Sequence, residues 1–397
     1  MTEGLLTMTE KLYYTDPTCK EWETTVTQIL KVDDYYLVTL KETAFYPEGG
    51  GQPCDKGTIG SLEVVDVFEK DNEIYHKLHS EPKASTVTCK IDWKRRFDHT
   101  QQHTGQHLLS ALLVELFDYH TVSFHLGIDS TTIDVTAQRL TDKEIQQVEE
   151  KVNQYIYNNI NIKTYFVTKD EMESLQLRKT PDVSEPIRIV EIDGIDISAC
   201  CGTHVSQTGE LGMIKLVKTE KQKGNIRIHF KCGKRALEDY QQTSKLMGEL
   251  AQHISGTREN VYHHLVKVEA ENKQLQKQVD VLKEEIQHFQ AMQLLQEHTS
   301  TVIVKQFDEL PFKDVQGLAR AVLKKEDKLV IFTTMKENKL FVAHNGSFEL
   351  NCGKIFKEEL AAYHGKGGGN ATSAQAGFVN SEEMHQFSAY LRDKVIV

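Results

Sequence analysis

The sequence predicts an α+β chain in four successive parts: an N-terminal β-barrel, an α+β domain, a coiled-coil helical segment and a C-terminal α/β domain. Three observations carry that prediction. Residues 9–93 are rich in β-branched and aromatic residues broken by Asp, Asn and Gly, as short strands are. Near Asp98 the apolar spacing switches to a helical period. From 258 to 293 a heptad pattern runs, and past residue 300 buried-strand and helix patterns alternate. The implied boundaries are 1–93, 94–245, 246–298 and 299–397.

The first part offers five strands: "KEWETTVTQIL", "DYYLVTL", "SLEVVDVFE", "EIYHKL" and "STVTCKI". Such a set fits a small barrel or sandwich. Among them lies "TAFYPEGGGQPCDKG", a glycine-rich turn too irregular to be a strand. "DHTQQHTGQHLLSALLVELF" has helical spacing and no proline, so it predicts a helix with Asp98 as N-cap. "TDKEIQQVEEKVNQYIYNNI" predicts an amphipathic helix capped by Thr141. In the third part Val261, Leu265, Val268, Asn272, Leu275, Val279, Leu282, Ile286 and Phe289 alternate spacings of four and three. A helix packed on its own domain would show a similar stripe. The unbroken seam with one central Asn favours self-association. In the last part "TVIVKQF", "KLVIFTT" and "KLFVAH" read as buried strands. "DVQGLARAVLKKE", "CGKIFKEELAAY" and "SEEMHQFSAYLRDKV" read as helices.

Composition narrows the class. Apolar content of 39% and charged content of 26% are those of an ordinary globular protein. No apolar run is long enough to cross a bilayer, and "MTEGLLTMTE" is too polar for an export signal. Seven scattered cysteines argue against a disulfide framework and for a reducing, cytoplasmic setting. The net charge of −11 disfavours nucleic acid as a general partner. Two basic stretches work the other way: residues 215–235, with eight Lys/Arg against one Glu, and Lys94, Arg95 and Arg96. Either could be a solvated face. Both flank the candidate metal ligands, which favours a footprint for a polyanion.

His103 and His107 stand four apart in the predicted helix, so both imidazoles share one face. No Glu lies between them, so this is not the metalloprotease "HExxH". In "SACCGTHV", Cys200 and His204 are four apart in a loop. Together these are three histidines and a thiolate, a set that suits zinc. Four protein ligands would close a structural site, whereas a catalytic zinc keeps a position open. Spacing leaves that choice open. A Cys-His nucleophilic dyad is the rival, but it leaves His103 and His107 unused.

"FYPEGGGQPCDKG", "HTGQHLLSALL" and "CCGTHV" together resemble the editing domain of alanyl-tRNA synthetases and their free-standing AlaX relatives. The terminal "GKGGGNATSAQAG" is similar to the glycine-rich signature of the DHH-associated domain. Four motifs in this order match the long AlaX form across nearly the whole chain. The resemblance implies a zinc-containing editing domain at 94–245 and a DHH-associated domain for RNA binding or dimerisation at 299–397. It implies one Zn2+ per chain and zinc-dependent deacylation in trans of mischarged Ser-tRNA(Ala), with Gly-tRNA(Ala) as a second candidate. The partners implied are mischarged tRNA(Ala) and a second copy, through the coiled coil and C-terminal domain, with no membrane. The chain starts directly in the β-domain, so no aminoacylation activity is expected.

Carried over residue by residue, His103, His107, Cys200 and His204 are the metal ligands. Cys201 falls where the family has glycine, and is read as a small buried neighbour or a reserve ligand. Asn370 replaces a basic residue of the signature. Thr43 matches a threonine implicated in sensing the substrate side chain; a barrel threonine packing by its methyl is the plain alternative. Gly49, Gly50 and Gly51 would let backbone approach the terminal adenosine or ester, and Gln52 could bond either. Arg227 and His229 would share one strand face. Arg95, Arg96, Lys221, Lys223, Arg227 and Lys366 are the expected RNA contacts. "GKGGGN" lacks Walker A order, so no nucleotide-binding fold is expected. Three other readings remain: a non-catalytic RNA-binding dimer with a structural zinc, a hydrolase of small esters or amides, and an editing enzyme for another tRNA.

Overall fold

Alternating burial shapes the first strands. The computed structural model describes residues 8–179 and 186–396, which fall into two compact units, 1–249 and 250–397. Most of the polar leader "MTEGLLTMTE" lies outside the described residues.

In the first unit, β1 (Glu10–Lys11) and α1 (Leu12–Thr15) come first. Then follow β2 (Glu21–Val32), β3 (Tyr35–Leu40), β4 (Glu42–Thr43), β5 (Gly57–Ile59), β6 (Leu62–Lys70), β7 (Glu73–Leu78) and β8 (Thr86–Ile91). Six strands pair antiparallel in the order β2-β3-β7-β6-β5-β8, and β8 returns to β2. Alternate residues point inward, with the phase reset by a bulge between Val64 and Asp66 of β6, so Val38, Leu40, Val64, Val67, Ile74, Leu78 and Cys89 fill the interior. His76 sits among them fully buried. Its Nδ1 donates to Val38 O at 2.9 Å, and its Nε2 accepts from Thr43 Oγ1 at 2.9 Å. Burial pushes its pKa down to about 4, so the ring is neutral.

Helix α2 (Trp93–Phe117) begins before Asp98. Its N-cap is Asp92, whose carboxylate accepts from Arg95 N at 3.2 Å. Asp98 is inside the helix and pairs with Arg235 at 2.6 Å. The expected boundary after residue 93 therefore falls inside this helix. Next come β9 (Thr121–Leu126), β10 (Thr131–Val135), α3 (Asp142–Tyr157), β11 (Ile162–Val167), α4 (Lys169–Glu173), β12 (Ile187–Ile192) and β13 (Asp196–Ala199). The unit closes with β14 (Ile214–Gln222), β15 (Asn225–Cys232) and α5 (Gly233–His253), which spans the expected boundary after residue 245. Thr141 caps α3 as expected, in a capping box with Glu144. One sheet runs β14-β15-β10-β9 and another β11-β12-β13. Leu108, Leu109, Leu112 and Leu113 of α2 join Val148 and Val152 of α3 and Ile133, Ile192, Ile228 and Phe230 of the sheets in one core.

The second unit starts with α6 (Val261–Glu297). Only its C-terminal end is buried, through Ala291 and Leu294. The seam residues Leu265, Val268, Leu275, Val279, Leu282, Ile286 and Phe289 are 43–69% exposed. The rest is β16 (Val302–Phe307), α7 (Phe312–Leu323), β17 (Leu329–Thr334), β18 (Lys339–His344), α8 (Cys352–Glu359), β19 (Lys366–Gly369), β20 (Ser373–Gly377) and α9 (Ser381–Ile396). The sheet order is β16-β17-β18-β20-β19, with β16 and β17 parallel and the rest antiparallel. Strand β17 reads as a continuous apolar run because both faces are covered. Leu329 and Ile331 face the core under α8 and α9, whereas Val330 and Phe332 face α7. The glycine-rich signature is explained by pairing. A Cβ at Gly367 or Gly369 would sit 2.0 or 2.1 Å from backbone oxygens of β20. Asn370 closes the turn: its Oδ1 accepts from Thr372 N at 3.0 Å and Ser373 N at 2.9 Å. Among the described residues no helix is long and apolar enough to cross a membrane.

Candidate metal centre

Helix α2 carries an unusual buried face. Arg96, Thr100, His103 and His107 recur at spacings of four, three and four, and all are buried. The loop after β13 brings Cys200 and His204 to that face. The donor atoms of His103, His107, Cys200 and His204 all lie within 4.8 Å of one another. Cys200 Sγ is 3.4 Å from His103 Nε2 and 3.4 Å from His204 Nε2. A tetrahedral zinc with ordinary bond lengths puts its nitrogen and sulfur donors about 3.5 Å apart. The donor set thus fits a metal ion in both chemistry and spacing.

Each imidazole is held by its other nitrogen. His103 Nδ1 donates to Gln52 Oε1 at 2.9 Å, His107 Nδ1 to Asp196 Oδ2 at 3.3 Å, and His204 Nδ1 to Thr104 Oγ1 at 3.1 Å. Every Nε2 is thereby left as the ligand lone pair. Asp196 is itself fixed by Arg178 at 2.7 and 3.2 Å and by Ser198 Oγ at 2.9 Å. Burial would raise the Asp196 carboxyl, but His107 and Arg178 hold it well below the usual carboxylate range. Burial would likewise raise the Cys200 thiol; the three imidazoles around it pull it well below the ordinary cysteine value. Burial pushes His204 down to about 3, so its ring is neutral. Burial would lower His107, but the Cys200 thiolate and Asp196 raise it above the ordinary imidazole value; a metal binding there takes the thiolate and the neutral His204 ring and displaces a proton from His107.

Close packing fixes the loop. A Cβ on Gly202 would sit 2.1 Å from the His103 ring. Arg188 NH1 donates to Cys200 O and to Gly202 O, each at 2.8 Å. Cys201 is exposed, which corrects its reading as a small buried neighbour. In a loop with Cys200 turned inward, the next side chain turns out.

The glycine-rich segment forms a two-residue turn. Gly49 and Gln52 exchange backbone hydrogen bonds at 2.9 and 3.1 Å, and Gly50 and Gly51 have φ of 58° and 80°. Both are exposed. A Cβ on Gly51 would meet Phe124 at 2.7 Å, and Phe124 in turn stacks on His103 with centroids 5.2 Å apart. Gln52 is fully buried. Besides His103, its amide serves Thr203, accepting from the backbone N at 3.1 Å and donating to Oγ1 at 3.0 Å. It orients a ligand and is turned away from solvent. Thr43 is also fully buried, between His76 and the backbone N of Phe45 at 3.2 Å.

The expected RNA contacts separate. Arg96 is fully buried and chelates Asp55, with Nε 2.9 and 3.1 Å from the carboxylate oxygens. It cannot touch RNA, because its helical phase is that of His103 and His107. Arg227 does share a strand face with His229, but it is spent on Asp134 in a bidentate pair at 2.7 and 2.9 Å. Within 215–235, Lys215, Lys218, Lys231, Lys234 and Arg235 also have acidic partners. Lys221 and Lys223 stand exposed beside the β14–β15 turn, and Lys366 is exposed on β19. Arg95 is half-buried, its Nε on Cys54 O at 3.1 Å. Sequence reasoning missed Asp196, Arg178, Thr104 and Arg188. Thr104 lies inside the "HTGQH" motif and was available there; the others carry no spacing signal.

The profile described as "Threonyl and Alanyl tRNA synthetase second additional domain" matches residues 187–229, which include Cys200 and His204. The DHHA1 domain matches 299–396, and "tRNA synthetases class II (A)" matches 5–95. The chain is 32% identical over 383 residues to alanyl-tRNA editing protein AlaX-L of Pyrococcus horikoshii, covering 93% of this chain and 94% of that one. It is 30% identical over 401 residues to an alanine–tRNA ligase of Methanobrevibacter smithii, covering 95% of this chain and 45% of the ligase. It is 39% identical over 208 residues to alanyl-tRNA editing protein Aarsd1 of Danio rerio, covering 51% and 50%. With its ligand motifs in order and nearly end-to-end similarity to a long relative, the chain belongs to the AlaX family of alanyl-tRNA editing proteins.

Proposed function

We propose that the chain hydrolyses the aminoacyl ester of mischarged Ser-tRNA(Ala), with Gly-tRNA(Ala) as a second candidate, using one zinc ion at His103, His107, Cys200 and His204. The observation that carries this reading is the four-donor cluster in which each imidazole is tethered through its other nitrogen. The relatives' names speak of alanyl-tRNA editing. A bound zinc supplies Lewis acidity and can bring the pKa of water to about 7.

The chain's own residues do the rest. Gln52, Thr104 and Asp196 hold the three tautomers. Gly50 and Gly51, exposed at positive φ, present side-chain-free backbone to the adenosine or ester. Thr43 is the proposed sensor of the seryl hydroxyl. Its proton goes to His76 and one lone pair to Phe45 N, which leaves one lone pair to accept from a serine. Alanine offers no such donor. Lys221, Lys223 and Lys366, with the less accessible Arg95, are the proposed phosphate contacts. We also propose a homodimer along α6, whose apolar seam is exposed in the single chain.

A second reading has its own support: four protein ligands fill a tetrahedral shell and would make the metal structural. Deacylation of Ser-, Gly- and Ala-tRNA(Ala) by wild type and Cys200→Ala, with zinc measured on the same samples, separates the two. Editing requires seryl ester cleaved, alanyl ester spared, and both zinc and activity lost in the variant. Bound zinc with no ester cleaved above the buffer rate would leave the RNA-binding dimer.

A further inference from the structure

An aromatic cluster adjoins the metal loop and has no part in the chemistry above. Tyr14 on α1 stands over the Arg188 guanidinium, 4.8 Å from ring centroid to Cζ. Tyr13 meets it edge-on at 4.5 Å, and Phe166 on β11 edge-on at 5.8 Å. Tyr14 is half-buried, and Phe166 is 50% exposed.

Arg188 ties this cluster to the metal loop. The same guanidinium that lies under Tyr14 donates to Cys200 O and Gly202 O. It is 96% buried by its own residue exposure of 4%, and no carboxylate among the described residues lies within ion-pair distance of it. Among the described residues, the buried guanidinium is thus shared between two backbone carbonyls of the metal loop and the face of Tyr14.

Beside Phe166 is an open hollow of about 340 Å³, lined also by Val167, Thr168, Glu171 and Pro186. Its one acid, Glu171, is occupied by Thr168 N at 2.8 Å and Thr168 Oγ1 at 3.1 Å. A carboxylate there disfavours phosphate and tolerates a neutral base. We propose that Tyr14 and Phe166 form a stacking platform for an unpaired nucleobase of the tRNA 3′ end. Stacking on aromatic and guanidinium planes is how single-stranded RNA is commonly held. This rests on the editing reading, because that reading is what places a 3′ end at the metal loop.

The test measures equilibrium binding of uncharged tRNA(Ala), intact and trimmed of its unpaired 3′ nucleotides. The full chain is compared with Phe166→Ala and Tyr14→Ala. Base–aromatic stacking predicts that trimming weakens wild-type binding about tenfold or more and each variant several-fold less, the remainder being the terminal adenosine's own contacts at Gly50 and Gly51. A trimming penalty as large in both variants as in wild type overturns the platform. So does a wild type indifferent to trimming. Should Tyr14→Ala fail to fold, Phe166→Ala, altering a half-exposed side chain, decides alone. Deacylation by wild type, assayed separately, reports on the editing reading whatever the platform does.

Discussion

Helices α2 and α6 invert the usual relation between residue type and environment. One face of α2 buries Arg96, Thr100, His103 and His107. One face of α6 exposes Leu265, Leu275, Leu282 and Phe289. Helical spacing defines a face in both cases and says nothing of what covers it. On α2 polar groups are buried because partners on other elements meet them: Asp55, Thr203, Gln52 and Asp196. On α6 the seam's apolar groups are left uncovered by the described residues. The first face holds the candidate metal centre; the second is the surface proposed above for self-association.

Breaking the buried face has the largest predicted effect. Arg96→Ala leaves the Asp55 carboxylate buried without its partner, so unfolding in denaturant is expected to show a loss of about 3–5 kcal/mol. An Arg96 variant of wild-type stability but weakened RNA binding would restore the surface reading. Acid comes next. His76 is held down at about 4 in the folded chain, against an ordinary value of 6.5. The unfolded chain takes up its proton first, so stability is full above pH 6.5 and falls until about pH 4. The shift corresponds to about 3 kcal/mol. His99, also held at about 4 by burial, acts in the same direction. Melting from pH 7 to pH 4.5 should therefore steepen in wild type and flatten in His76→Gln.

Behind the ligands the effect is smaller. Asp196→Asn keeps the shape but weakens the acceptor of His107, and metal affinity measured by chelator competition should fall about 10–100-fold. Unchanged affinity would reduce Asp196 to a packing role. The exposed face sharpens the contrast with the least effect on folding. Leu275→Asp should shift the proposed dimer to monomer in sedimentation while leaving metal content as in wild type. A wild type that is monomeric at high concentration would refute the seam as a homodimer surface.

The sequence revealed the parts that recur at short spacing. His103 and His107 share a helix, Cys200 and His204 a loop, and Thr141 with Glu144 a cap. Long-range pairing was not legible. Asp196 and Arg178 reach the site only because β13 runs beside α2, and no local pattern marks them. Arg96 was misread because a run of basic residues was taken as a surface, although its phase relative to His103 and His107 already turned it inward. The basic stretch at 215–235 divides: Arg227 is taken up by Asp134 and Arg235 by Asp98, acids distant in sequence, whereas Lys221 and Lys223 stay exposed. Asp92 rather than Asp98 caps α2 because capping depends on which carboxylate meets the first free amides.

X-ray absorption at the metal edge of the purified full chain tests the central claim most directly. The account predicts one zinc per chain, with one sulfur at about 2.3 Å and three nitrogens at about 2.0 Å. A shell with two sulfurs would bring Cys201 into the centre, and absence of bound zinc would contradict the account outright.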